Sequence, residues 1–158
     1  METRVSSSVR LVRRGEGEQH AVMGDNMHFL MTAEHTDGRY AISEIHVRPG
    51  SGAPPHIHHN EEEAFYVLEG QFHMLVDGVE QVLNEGDYAH VQRGAVRAYA
   101  NRTSAPGRLL ILHSPGSAAA FYIGMGKLST PPPMDAVVAL GKQHSIEIVP
   151  EVDWPLGG

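Results

Sequence analysis

His56-Ile57-His58, with Glu63 five positions further on, brings together the side chains of this chain best suited to hold a divalent transition metal. Two histidines one residue apart on an extended strand project from the same face, because side chains alternate with period two. A carboxylate arriving after a short turn completes a two-histidine, one-carboxylate set, which leaves open coordination positions on non-haem iron and related metals. A metal so held polarises a bound oxygen, or brings substrate and dioxygen together, without any thiolate. The spacing is Gly50-x5-His56-x-His58-x4-Glu63-x6-Gly70. Each glycine falls where a strand–turn–strand element needs a turn.

The wider wording is Pro49-Gly50-Ser51-Gly52-Ala53-Pro54-Pro55-His56-Ile57-His58-His59, followed by Glu63-Ala64-Phe65-Tyr66-Val67-Leu68-Glu69-Gly70. It resembles the first motif of the cupins, small β-barrels, and among them the single-barrel proteins related to bacterial quercetin dioxygenases. The resemblance runs from about Gly24 to about Gly126. It implies an all-β fold, a small cupin-type jelly-roll barrel. It also implies a homodimer, and a small-molecule substrate bound at a metal inside the barrel. By that resemblance His56, His58 and Glu63 are metal ligands, and Glu63 doubles as a base. The second cupin motif is altered: it reads Gly86-x5-Gln92-x-Gly94-x2-Arg97-x3-Asn101, with Gln92 where the family has proline and Arg97 where it has its last histidine ligand.

Arg97 therefore has two readings. A guanidinium offers a planar two-point contact for a carboxylate, phenolate or enolate, which makes it an anion clamp for a substrate. Alternatively it pairs internally with Glu63 or Glu62, since a buried arginine needs a partner. Tyr99 and Asn101 share its strand parity, and Tyr99 is a hydrogen-bond donor toward a bound oxygen. His90, seven residues before Arg97, is the substitute ligand the spacing offers. Glu61 and Glu62 read as rim or surface charges, because only one residue of the acidic run takes the inward position. His46, His73 and His113 lie in strand-like stretches and could each face the interior. Phe29, Met31, Phe65, Phe72 and Met74 are barrel-lining candidates.

Three functions follow. The first is a quercetin dioxygenase-like enzyme acting on an aromatic, phenolic or polyketide-like substrate, with Glu63, Arg97 and Tyr99 as catalytic residues. Its divalent metal is Fe, Mn, Ni, Co, Cu or Zn, which the ligand types do not distinguish. The second is a non-redox cyclase, isomerase or dehydratase that uses Arg97 as its anion clamp, with or without metal. The third is a non-catalytic module that binds a small acid.

The elements that must position these residues are short strands punctuated by glycine, asparagine and proline. Strands are expected over Met27–Ala33, Tyr40–Val47, Glu63–Leu68, Gln71–Val76, Val79–Leu83, Tyr88–Val91, Val96–Ala100 and Arg108–His113. The pair flanking Asp77-Gly78 makes a hairpin on a turn dipeptide. After Pro115-Gly116 the texture changes. A short helix N-capped by Ser117 is followed by the Pro131-Pro132-Pro133 run, a helix over Met134–Gln143, and a short strand or tail at Ile146–Val149. The expected organisation is one domain over residues 1–158, with the barrel at about 20–115 and a helical extension at about 116–158.

Composition closes off other classes. The chain has 158 residues, 41% of them hydrophobic and 20% charged, as in an ordinary globular domain. It has no cysteine, which excludes disulfides, thiolate sites and cysteine nucleophiles. A net charge of −7 argues against a general hold on nucleic acid. The basic cluster Arg10, Arg13 and Arg14 reads as a solvated terminal segment. No apolar run is long enough to span a membrane and no signal-peptide core opens the chain, so it reads as cytoplasmic. No phosphate loop, dinucleotide fingerprint or serine triad is evident.

Overall fold

Between Ala41 and Ser114 apolar residues alternate with polar ones in runs of four to eight, and each run is a strand. A computed structural model of the chain describes residues 3–6 and 8–157. The strands are β1 Thr3–Ser6, β2 Val9–Leu11, β3 Glu18–Val22, β4 Asp25–Met31, β5 Ala41–Val47, β6 Gly52–His58, β7 Glu62–Glu69, β8 Gln71–Val76, β9 Val79–Asn84, β10 Tyr88–Val91, β11 Val96–Ala100, β12 Gly107–Ser114 and β13 Ile146–Ile148. Helices α1, Ala119–Met125, and α2, Met134–Gln143, fall between β12 and β13. One antiparallel sheet runs β10-β7-β12-β5-β4-β3 and the other β13-β6-β11-β8-β9, while β1 and β2 pair with each other. This is the jelly-roll barrel expected, with short helices after it.

The two inner faces meet in one apolar core. Glu63, Phe65 and Val67 of β7 point inward, as do Leu109, Ile111 and His113 of β12, so each strand sends every second residue into the core. Phe29, Phe65, Phe72 and Met74 are buried there as expected, whereas Met31 is only partly covered. The β8–β9 hairpin turns on Asp77 and Gly78, both at positive φ (46° and 82°), the backbone of a two-residue hairpin turn.

Several boundaries differ from the expectation. β4 stops at Met31 because Ala33–His35 form a 3-10 turn, in which the Thr32 backbone N–H donates to His35 Nδ1 at 3.2 Å. The segment holding Arg10 is not simply solvated: β2 passes through it, and Arg10 Nε donates to the Leu30 carbonyl at 2.9 Å. Ser117 caps no helix. A 3-10 turn spans Gly116–Ala118 with Pro115 in the N-cap position, and the serine hydroxyl is used elsewhere. α2 occupies Met134–Gln143 as expected, with Pro133 preceding it, and β13 is the short final strand.

Candidate metal centre

β6 carries His56 and His58 at adjacent inward positions, between β11 and β13. Gly52 opens the strand because nothing larger fits: a Cβ there would lie 2.0 Å from the Tyr99 carbonyl oxygen and 2.8 Å from Ala100 Cα. The close approach accompanies a register shift in β11 between Arg97, which faces His56, and Tyr99, which faces Ala53. Glu63 enters from β7, and His113 is its direct cross-strand neighbour on β12.

Each of the two histidines is oriented through its Nδ1. His56 Nδ1 lies 2.7 Å from the Pro54 carbonyl, and His58 Nδ1 lies 3.3 Å from a Glu61 oxygen. Both acceptors require the proton on Nδ1, which leaves the Nε2 lone pair of each ring for a ligand. Burial lowers the pKa of His56 to about 4, with help from neighbouring His58, and burial also lowers that of His58. Neutral imidazole is the form that binds metal. One donor atom from each of His56, His58 and Glu63 lies within 4.8 Å of the others, and all three residues are buried. These residues fit a divalent transition metal.

Glu63 is the centre of charge. Burial raises the pKa of its carboxyl, but the attraction of His113, of His58 and the hydrogen bond from His113 outweigh that, and the net shift is well downward. His113 Nε2 donates a short hydrogen bond to Glu63 Oε2. On the other side Arg97 Nη1 lies 3.6 Å from Glu63 Oε1, close enough for an ion pair and too long for a hydrogen bond. Neither Arg97 Nη1 nor Glu63 Oε1 has a hydrogen-bond partner among the described residues. The guanidinium is 1% exposed, and its Nη2 donates to the carbonyls of Gln92 at 2.7 Å and Ala95 at 3.2 Å. Of the two readings of Arg97, the internal pairing is the one present: its planar fork is directed at loop carbonyls.

Other expected residues resolve by strand parity. His90 is no substitute ligand, because on β10 it is Val91 that faces Glu63 while His90 faces Ala64. His90 is exposed and bonds Glu62 at 2.8 Å. Asn101 does not join the site, since its amide donates to the Val47 and Ala105 carbonyls. His46 is exposed and His73 partly so, paired with Glu44 and Glu80 respectively. Tyr99 does line the cavity, and burial pushes its hydroxyl pKa well up, so it stays a neutral donor. Glu62 is a surface charge as expected, but Glu61 is buried.

Glu61 and Tyr122 are the additions. Glu61 accepts from Ser117 Oγ at 2.6 Å as well as from His58. Burial would raise its pKa, but these two hydrogen bonds prevail and hold it down. Tyr122 of α1 places its hydroxyl 3.3 Å from His58 Nε2, and its ring packs 5.2 Å from that of His113. Burial, followed by the Glu63 charge, raises its pKa well above the usual phenol range. The i+2 spacing of Glu61 and Glu63 was a signal for the first. Nothing local pointed to the second, which lies 64 residues from its partner.

The cavity beside His56 and Glu63 is walled by apolar side chains, among them Met27, Ile111, Phe121, Met125, Val137 and Ile146. It encloses about 590 Å³ of empty space including its open mouth. The lining candidates Phe29, Phe65, Phe72 and Met74 belong to the core behind it rather than to its wall.

Known proteins resemble this chain over part of its length. Residues 43–113 match the family of the cupin domain. A quercetin 2,3-dioxygenase of Bacillus subtilis is 36% identical over 90 residues, 56% of this chain and 26% of that enzyme. The chain thus spans about a quarter of that relative's length. Among solved structures, the polyketide cyclase RemF of Streptomyces resistomycificus superposes with a TM-score of 0.59 at 20% identity, over 67% of this chain and 79% of that one. A cupin-superfamily sugar phosphate isomerase of Silicibacter pomeroyi gives 0.58 at 20% identity, over 66% and 74%. At these identities the two structures establish the shared fold. Residues 43–113 thus match the cupin domain, and the fold around them is the cupin jelly roll.

Proposed function

We propose that this protein is a metal-dependent enzyme acting on a compact aromatic or phenolic substrate, with chemistry of the quercetin dioxygenase kind. One observation carries the reading: three buried donors, two neutral imidazoles and one carboxylate, converge within 4.8 Å beside an apolar cavity. The likeness to the Bacillus subtilis enzyme supports the redox form of it. When bound, a divalent metal supplies a Lewis acid, and a redox-active one also a meeting point for substrate and dioxygen. The chain's own residues do the rest. His56 and His58 present their Nε2 lone pairs because Pro54 and Glu61 hold the opposite nitrogens. The apolar wall excludes water and takes a planar ring. Tyr99, a neutral phenol, donates to a substrate oxygen, and Glu63 is placed to accept a proton on Oε1 while His113 donates to its Oε2.

A second reading drops redox chemistry. It is favoured by the pairing of Glu63 with both His113 and Arg97, which already balances its charge and forms a proton-transfer couple. A cyclase or isomerase needs no more than such a couple beside a shaped pocket.

Elemental analysis of tag-free protein and of His58→Ala tests the first reading. Stoichiometric transition metal in the wild type, lost in a folded His58→Ala, is the expected result. Full metal content and activity in that variant would locate the site elsewhere. Turnover without oxygen separates the two chemistries.

A further inference from the structure

His58 is gripped from both ends of its ring by the same piece of chain. At Nδ1, Glu61 links the imidazole to Ser117, the middle residue of the 3-10 turn at Gly116–Ala118. At Nε2, the Tyr122 hydroxyl of α1 lies 3.3 Å away. Between and beyond these two contacts, residues 116–143 fold over the cavity, with Phe121, Tyr122, Met125 and Val137 forming part of its wall. With Nδ1 protonated toward Glu61, the Nε2 lone pair accepts the Tyr122 proton. That lone pair is also the one His58 offers to the group of three donor atoms, since its Nε2 stands 3.7 Å from Glu63 Oε2. One lone pair cannot serve both.

We infer that Tyr122 is a positioning residue that latches a helical cap, residues 116–143, and that the latch and a metal ion compete for His58 Nε2. With the latch made, α1 is held down over the cavity and the ring is held in its binding orientation. A metal on Nε2 displaces the hydroxyl and loosens α1, while the Ser117–Glu61 arm keeps the start of the cap attached and the ring aligned. The released hydroxyl remains beside the cavity, free to meet an oxygen of whatever enters. The inference rests on the metal reading of the site, but the latch is measurable without metal.

The test uses Tyr122→Phe, which removes one oxygen and keeps the ring, with cobalt(II) alone as the probe. Hydrogen exchange is followed over residues 116–143 with and without the ion, and affinity is measured by titration. In metal-free protein, Tyr122→Phe is expected to speed exchange of the α1 amides by roughly threefold to tenfold, the size of one neutral hydrogen bond. Cobalt(II) is expected to bind the variant tighter by a similar factor. In the wild type the ion itself should raise α1 exchange, and in the variant it should not. Ser117→Ala serves as a second variant: it loosens residues 116–118 without tightening cobalt binding, because it leaves Nε2 alone. Unchanged α1 exchange in metal-free Tyr122→Phe overturns the latch. Equal cobalt affinity in a loosened variant overturns the competition. If neither protein binds cobalt while Tyr122→Phe still loosens α1, the latch stands and the metal reading of the site fails.

Discussion

Arg97 sits where a cation is hardest to reconcile with a metal. Its guanidinium is buried and anchored to the carbonyls of Gln92 and Ala95, with Nη1 turned to Glu63. A second cation on Glu63 would feel that charge at close range in a medium far less screening than water. Arg97→His removes the charge and supplies a donor nitrogen near His56, its cross-strand neighbour. Transition-metal affinity is expected to rise at least tenfold by titration, while stability falls by about 1–3 kcal/mol because the loop carbonyls lose charged donors. Unchanged affinity would show that Arg97 does not oppose the ion. The sequence made His56, His58 and Glu63 legible because all three lie within one strand–turn–strand unit. His113 was among the interior possibilities, but the unbroken apolar run Leu109-Leu110-Ile111-Leu112 hides which face its parity selects. The role of Tyr122 depends on how α1 docks, which no local pattern encodes.

At the scale of elements, β6 is the strand the site depends on, and Gly52 is its tightest point. Gly52→Ala drives a methyl into the Tyr99 carbonyl, and the backbone there cannot swing aside as a flexible side chain would. The substitution is expected to cost about 3 kcal/mol or more in urea unfolding, and to weaken metal binding by disturbing the β6–β11 pairing. Stability within about 0.5 kcal/mol of the wild type would mean that the strands part more easily than this contact implies. The strands from Ala41 to Ser114 were readable because alternation and turn dipeptides agree there. β2 and β3 were not, since Val9–Leu11 is only a few residues long and Glu18–Val22 begins with polar residues, and both are strands only through the partners they meet. The Ser117 cap failed for a related reason: a buried carboxylate, Glu61, competed for the hydroxyl and won.

For the whole molecule, the neutral buried histidines tie stability to pH. His56 has its pKa lowered from 6.5 to about 4 by burial, and His58 shifts the same way. The unfolded chain takes up these protons below about 6.5, whereas in the folded chain His56 resists until about 4 and His58 also resists below its ordinary value. Stability is therefore full above pH 6.5 and lost as the pH falls toward 4; His56 alone accounts for about 3 kcal/mol of that loss. Glu61 and Glu63, whose pKa values are lowered, add their own losses only below their ordinary value of 4.5. Urea unfolding of chelator-treated protein should show the decline beginning near pH 6.5, and His56→Gln should flatten it. A wild-type profile flat down to pH 5 would mean the imidazoles are charged in the fold. Among the described residues no helix is long and apolar enough to cross a membrane.

β13 pairs Ile146 with His58 and Ile148 with His56, so the strand bearing both histidines takes its second neighbour from near the far end of the chain. A ribosome makes His56 and His58 long before it makes that neighbour. Until then β6 has an unpaired edge, and the cap that reaches His58 through Tyr122 has not been completed. The donor trio is thus synthesised before the strand and the cap that enclose it, so the pocket closes over it only once Ile146–Ile148 has been made.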